Sequence, residues 1–127
     1  MATLKTYEDL RGREIGYVLN SAYFAPFDDD GQLDKHGVPT EDQLQRMVER
    51  GHLPLMIGTD CQVDYALSQR NDAGLIKADY RPPHPVVLYL GMSKHSPHHD
   101  LGPALAQALQ TMVESGEIAT LAKPYQP

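Results

Sequence analysis

HLPLMIGTDCQVDYALSQR, residues 52–70, is the stretch whose reading decides the fold. Leu53, Leu55, Met56 and Ile57 form a short apolar run without helical spacing. Gly58-Thr59-Asp60 breaks that run, and Val63, Ala66 and Leu67 then recur at helical intervals. The order predicts a buried strand, a tight turn and an amphipathic helix. In an open α/β sheet, ligands gather beyond the carboxyl ends of the strands, where helix N-termini point free N–H groups. Asp60 stands at that junction with two roles open to it. Its carboxylate either caps the helix through the N–H groups of Gln62 or Val63, or faces the crevice and holds a cationic group.

Upstream, Thr40 with Gln43 three residues on reads as a capping box. Leu44, Met47 and Val48 make one apolar stripe, and Gly51 supplies the left-handed stop. Earlier still, Thr6 caps a short turn through Asp9 and Leu10 that ends at Gly12. Glu14 to Leu19 (EIGYVL) reads as a strand, and Gly16 within it suggests that another backbone or a ligand comes close. Asn20-Ser21 stands in position to cap a short helix through Ala22, Tyr23 and Phe24, a second strand-to-helix junction. Pro26 and the acidic run Asp28, Asp29, Asp30 with Gly31 are expected to end that helix and open a polar loop to Pro39. The run lacks the ligand spacing and closing Glu of a calcium loop.

Downstream, Asn71-Asp72-Ala73-Gly74 closes the central helix and Leu75 to Tyr80 (LIKADY) reads as a shorter strand. Arg81-Pro82-Pro83-His84-Pro85 must be extended, because consecutive prolines carry neither a helix nor a central strand. Val86 to Met92 (VVLYLGM) is the most β-prone run and is expected to be a strand buried on both faces. KHSPHHD, Lys94 to Asp100, is a solvent loop ending in a capping Asp100; Pro97 argues against His95 and His99 sharing a helical face for a metal. Leu101, Ala104, Leu105, Ala108, Leu109, Met112 and Val113 keep the helical period until Gly116, and Glu117 to Ala122 adds a turn. The whole reads as one α/β domain, 1–127, with a small, mostly parallel sheet flanked by helices.

Composition narrows the class. The 127 residues carry a net charge of −6 with a pI near 5.4, which disfavours nucleic acid or an anionic membrane as partner. The single cysteine, Cys61, excludes an internal disulfide. No stretch approaches the roughly 20 apolar residues of a membrane span. The polar amino terminus lacks the apolar core of a signal peptide, so the expectation is a cytoplasmic chain or the trimmed part of a longer one. There is no Walker loop, dinucleotide fingerprint or metal-ligand spacing, and no base is tied to Cys61 by sequence. The residues therefore call for no catalytic group, cofactor or metal.

Four segments taken together go further. LRGREIGYVLNSAYF (10–24), QRMVERGHLPLMIGTDCQVDYAL (45–67), VVLYLGMSKHSP (86–97) and LAQALQTMVESGEIATLAKPY (105–125) occur in this order. The chain resembles the second half of a family 3 extracellular solute-binding protein, the periplasmic receptor of polar amino-acid ABC transporters. The resemblance implies one lobe of a type II periplasmic-binding-protein-like fold. Residues 10–80 would form the second lobe, and 86–127 the return strand and C-terminal helices. It implies a small polar solute such as an amino acid as ligand, a membrane permease as partner, and a periplasmic location. Asp60 falls where family members hold the ligand's α-ammonium. Asn20, Ser21 and Ala22 fall where N–H and hydroxyl groups meet its carboxylate.

Two departures leave the solute open: Gly51-His52-Leu53-Pro54 replaces the usual Gly-Arg-x-Asp, and Asn20-Ser21-Ala22 replaces a glycine followed by Thr or Ser. The resemblance does not include the family's first half, which carries the carboxylate-clamping Arg and the aromatic sandwich. The expectation is therefore a partial receptor, or a homodimer paired through Val86–Met92. A sensory domain of a receptor and a dehydratase-like enzyme on the same scaffold are the alternatives.

Overall fold

The structure is a computed structural model that describes residues 3–70 and 74–126. Contacts divide the chain into two units, Met1–Val86 and Val87–Pro127. The first unit holds a three-stranded parallel sheet in the order β2-β1-β3, made of β1 (Glu14–Val18), β2 (Asp34–Val38) and β3 (Leu55–Met56). Helices α1 (Ala25–Asp29), α2 (Glu41–Glu49) and α3 (Asp60–Ser68) connect and flank it. This is the α/β arrangement of a small parallel sheet with helices that the hydrophobic pattern predicts.

β1 is central because alternate residues serve two cores. Ile15 packs with Leu10, Phe27 and Leu33 on one face. Val18 joins Val38, Leu44 and Leu53 on the other. Gly16 shares that second face, and a Cβ there would lie 2.3 Å from Leu44 Cδ1 and 2.7 Å from Leu53 Cδ1. The close approach inferred from the sequence is thus made by two apolar side chains, rather than by another backbone or a ligand. α2 follows its capping signals: Thr40 Oγ1 accepts from the Gln43 N–H at 3.2 Å, and Gly51 takes φ 77°. The amino-terminal turn also forms, as Tyr7–Leu10, with Asp9 accepting the Lys5 and Thr6 N–H groups at 2.9 Å. The Tyr7 hydroxyl shares its one proton between Asp30 Oδ2 at 2.8 Å and the Pro26 carbonyl at 2.9 Å. Burial, then Asp30, pushes its pKa up to about 12.

Several expectations are overturned. No helix runs through Ala22–Phe24: Asn20 is left-handed at φ 64°, the chain is irregular to Phe24, and α1 starts at Ala25. Pro26 opens this helix, since its fixed φ suits a first turn and its missing N–H costs nothing there. Residues 34–38, expected in a polar loop, form β2. An edge strand needs little apolar patterning, and only Val38 of β2 is buried. Leu75–Tyr80 is not a strand; Lys77 and Arg81 are drawn to acids of α3, and the Tyr80 N–H donates to the Leu4 carbonyl at 2.8 Å. The turn expected at Asn71–Ala73 lies outside the described residues.

In the second unit, α4 (Gly102–Glu114) and α5 (Glu117–Ala122) form as the periodicity predicts, joined at Gly116 with φ 81°. Asp100 sits inside a 3-10 turn, His99–Leu101, instead of capping α4. Val86–Met92 is not a strand. Among the described residues its N–H and C=O groups have no neighbouring strand, and Leu88 and Tyr89 are 85% and 86% exposed. None of residues 87–126 is buried.

Gly16→Val will force Leu44 and Leu53 aside and cost about 1–3 kcal/mol of unfolding free energy by urea denaturation. Unchanged stability would show that α2 does not press on β1.

Candidate functional site

Because β1 and β3 are parallel neighbours, their carboxyl ends lie at the same edge of the sheet. Ile15 is level with Leu55 and Gly16 with Met56, and the Ile57 N–H donates to the Gly16 carbonyl at 3.0 Å. Leu19 to Ala22 leave β1 there, and Gly58 to Asp60 leave β3. Two segments some forty residues apart in sequence thereby leave the sheet at the same end.

On the β1 side, the turn is held by short-range bonds. The Ser21 N–H donates to the Val18 carbonyl at 3.3 Å, the Val18 N–H donates to the Tyr23 hydroxyl at 3.0 Å, and the Tyr23 N–H donates to Asp28 at 3.1 Å. Asn20 suits its left-handed position because a short polar side chain tolerates it. Ser21 and Ala22, with Tyr17, Phe27, Asp28 and Lys35, line a cavity of about 230 Å³. Lys35 Nζ is held against the end of α1 by the Phe27 and Asp28 carbonyls at 2.9 and 3.3 Å.

On the β3 side, Thr59 is the residue preceding α3 and its carbonyl receives the Val63 N–H at 3.0 Å. The Asp60 carboxylate does not cap. It pairs with the Arg81 guanidinium and lies 3.8 Å from Lys77 Nζ, which also bonds Asp64 Oδ2 at 2.8 Å. Asp64, then Asp60, holds the Lys77 ammonium above its usual range. The Asp60 side chain remains 43% exposed, so solvent reaches this four-charge cluster. Asn20 and Asp60 do not line the cavity that holds Ser21 and Ala22.

Glu41, which the sequence reading did not single out, belongs to this edge. Its Oε1 lies 3.6 Å from the point a Cβ on Gly58 would occupy, and its charge helps to raise the Tyr23 phenol, after burial as the leading cause. Burial also pushes the Glu41 carboxyl up, opposed by the bond it accepts from Gln45 Nε2 at 3.4 Å. Gln45 is fully buried and accepts from Arg70 Nη1 at 3.2 Å, and Arg70 Nη2 donates to Glu49 at 2.9 Å. An acid at the first position of a capped helix is the signal that marks Glu41, though the capping reading already accounts for it. A larger hollow of about 530 Å³, lined by Asp42, Arg46, Arg50 and His52 among others, lies along α2 and includes none of these strand-end residues.

The arrangement suits a small solute with an anionic group and a cationic group. The Ala22 N–H and the Ser21 hydroxyl sit just past the end of β1, and a solvent-accessible carboxylate sits past the end of β3.

The raised Glu41 pKa gives a signed pH dependence. Its contribution to stability is full below its unfolded value, near 4.5, and is lost as pH rises through the higher folded value. Glu41→Gln should therefore be more stable than the parent at pH 7, with the gap closing toward pH 4, by chemical denaturation at both pH values. A gap of the same size at both would contradict this. Among protein-family models, curated proteins and solved structures, none matches this chain.

Proposed function

We propose that the chain is the ligand-binding second lobe of a solute-binding receptor of an ABC importer, for an amino acid or a similar small polar solute. The observation that supports this most is the delivery of Asn20–Ala22 and Gly58–Asp60 to one sheet edge by adjacent parallel strands. In this reading, the Ser21 hydroxyl and the Ala22 N–H group meet the solute's carboxylate, with Asn20 shaping the turn. Asp60 accepts its ammonium. Arg81 and Lys77 occupy that carboxylate until the solute arrives, and the solute's cation replaces one of them in the same charge-assisted contact. Glu41 adds negative potential beside Gly58. The reading places the receptor in the periplasm, where it hands solute to a membrane permease, and it needs no catalytic residue.

The exposed Val86–Met92 segment belongs to the same proposal. It is uncharged, rich in β-branched and aromatic residues and open on both faces, so two copies can pair antiparallel about a two-fold axis. Sedimentation equilibrium should give a dimer, and Leu88→Lys with Leu90→Lys a monomer. A parent chain that stays monomeric at high concentration would contradict the pairing.

Binding is tested by thermal shift against the common amino acids and small polar solutes. Free solute at about a hundred times its dissociation constant adds roughly 2.7 kcal/mol, enough to raise the melting temperature by several degrees. The shift should vanish in Asp60→Ala. A shift that survives in that variant would remove Asp60 from the site, and no shift with any solute would overturn binding by this chain.

A further inference from the structure

The amino-terminal end of the sheet, opposite the strand ends just described, carries a second group of converging side chains. The β1–β2 register sets Glu14 beside Asp34 and Gly16 beside His36. Alternate residues of paired parallel strands share a face, so Glu14, Asp34 and His36 all project from the α2 side of the ladder. His36 Nε2 lies 3.2 Å from Asp34 Oδ1 and 3.8 Å from Glu14 Oε1, and one ligand atom from each residue falls within 4.8 Å of the others. A tetrahedral zinc ion with bonds of about 2.0–2.1 Å has ligand atoms about 3.4 Å apart along each edge. The two His36 separations bracket that edge.

We propose that Glu14, Asp34 and His36 form a binding site for a divalent transition metal of the zinc class, separate from the solute site. An imidazole nitrogen with two carboxylate oxygens suits zinc better than calcium or magnesium, which take oxygen ligands throughout. Two carboxylates and a neutral imidazole also balance a charge of +2. All three side chains are exposed, so the ion enters without opening the fold and water completes its coordination. Sequence spacing conceals the site because the ligands come from two strands about twenty residues apart. Among the described residues, no other group of three such side chains converges in this way. Bound metal would clip the edge strand β2, whose only buried side chain is Val38, to the central strand.

The competing explanation is an ion-paired histidine with no affinity for metal, and the competing ligands are His95, His98 and His99. Titration of the full chain with Co²⁺, read by its visible d–d absorption and followed by displacement with Zn²⁺, separates them. The proposal expects saturation at one equivalent, loss of the bands on adding Zn²⁺, and a higher melting temperature with Zn²⁺ present. The bands should disappear in His36→Ala and in Glu14→Gln with Asp34→Asn. They should persist in His95→Ala/His98→Ala/His99→Ala. Circular dichroism without metal should be unchanged in each variant, since the altered side chains are exposed. No bands in the parent chain, or bands kept in His36→Ala and lost in the triple variant, would overturn the site.

Discussion

The close approach of α2 to β1 at Gly16 is the constraint on which the first unit depends. Leu44 and Leu53 fill the space where any other residue would carry a Cβ, so helix and strand lie closer than ordinary side chains allow. That contact sets three positions at once. It lays α2 across the face that Val18 and Val38 share, it brings Leu53 and hence β3 alongside β1, and it places the start of α2 beside the ends of both strands. The buried Gln45 and its bonds to Glu41 and Arg70 tie the residue just past the end of α3 to the same helix. A shift of α2 would move Glu41, the Gly58 turn and the start of α3 together. The packing of the core and the placement of the strand ends are therefore one problem.

Electrostatics separates two kinds of acid at that edge. Asp60 and Asp64 are solvated and share Lys77 and Arg81 between them. Exposed pairs of this kind are weak and screened by solvent, so in the proposed reading a solute cation replaces a protein cation at little cost. Glu41 is half-buried, its carboxyl is raised, and its neighbour is a neutral amide. Its charge acts on the Tyr23 phenol and lies beside Gly58. In the proposed reading, the groups that exchange partners are the ones held weakly.

Much of the architecture was legible in the residues, and each failure has a physical cause. The capped amphipathic α2, the left-handed stops at Gly51 and Gly116, strand β1 and the long α4 all carry local signals, and all form. β2 was missed because DKHGV is an edge strand. Its pairing with β1 supplies the order that its composition does not. The helix expected after Asn20 starts three residues late because the Tyr23 N–H is bonded by Asp28 and Pro26 takes the first turn. Val86–Met92 has the highest strand propensity and forms no strand, since a ladder requires a neighbour that propensity cannot provide. At the candidate site, Ser21 and Ala22 line a cavity just past the end of β1, in an irregular stretch where a helix was expected. The engagement of Asp60 by Arg81 and Lys77 was not legible, because it joins residues 17 and 21 positions apart that no local pattern ties together.

The central claim is that a small polar solute binds where β1 and β3 end. Its most direct test is a titration of isotopically labelled chain with amino acids, followed through backbone amide resonances. The account predicts saturable shifts at Ser21, Ala22, Gly58 and Asp60, with the Arg81 side chain released from Asp60. Shifts confined to the hollow along α2, at Asp42, Arg46, Arg50 and His52, or no shifts at all, would contradict it.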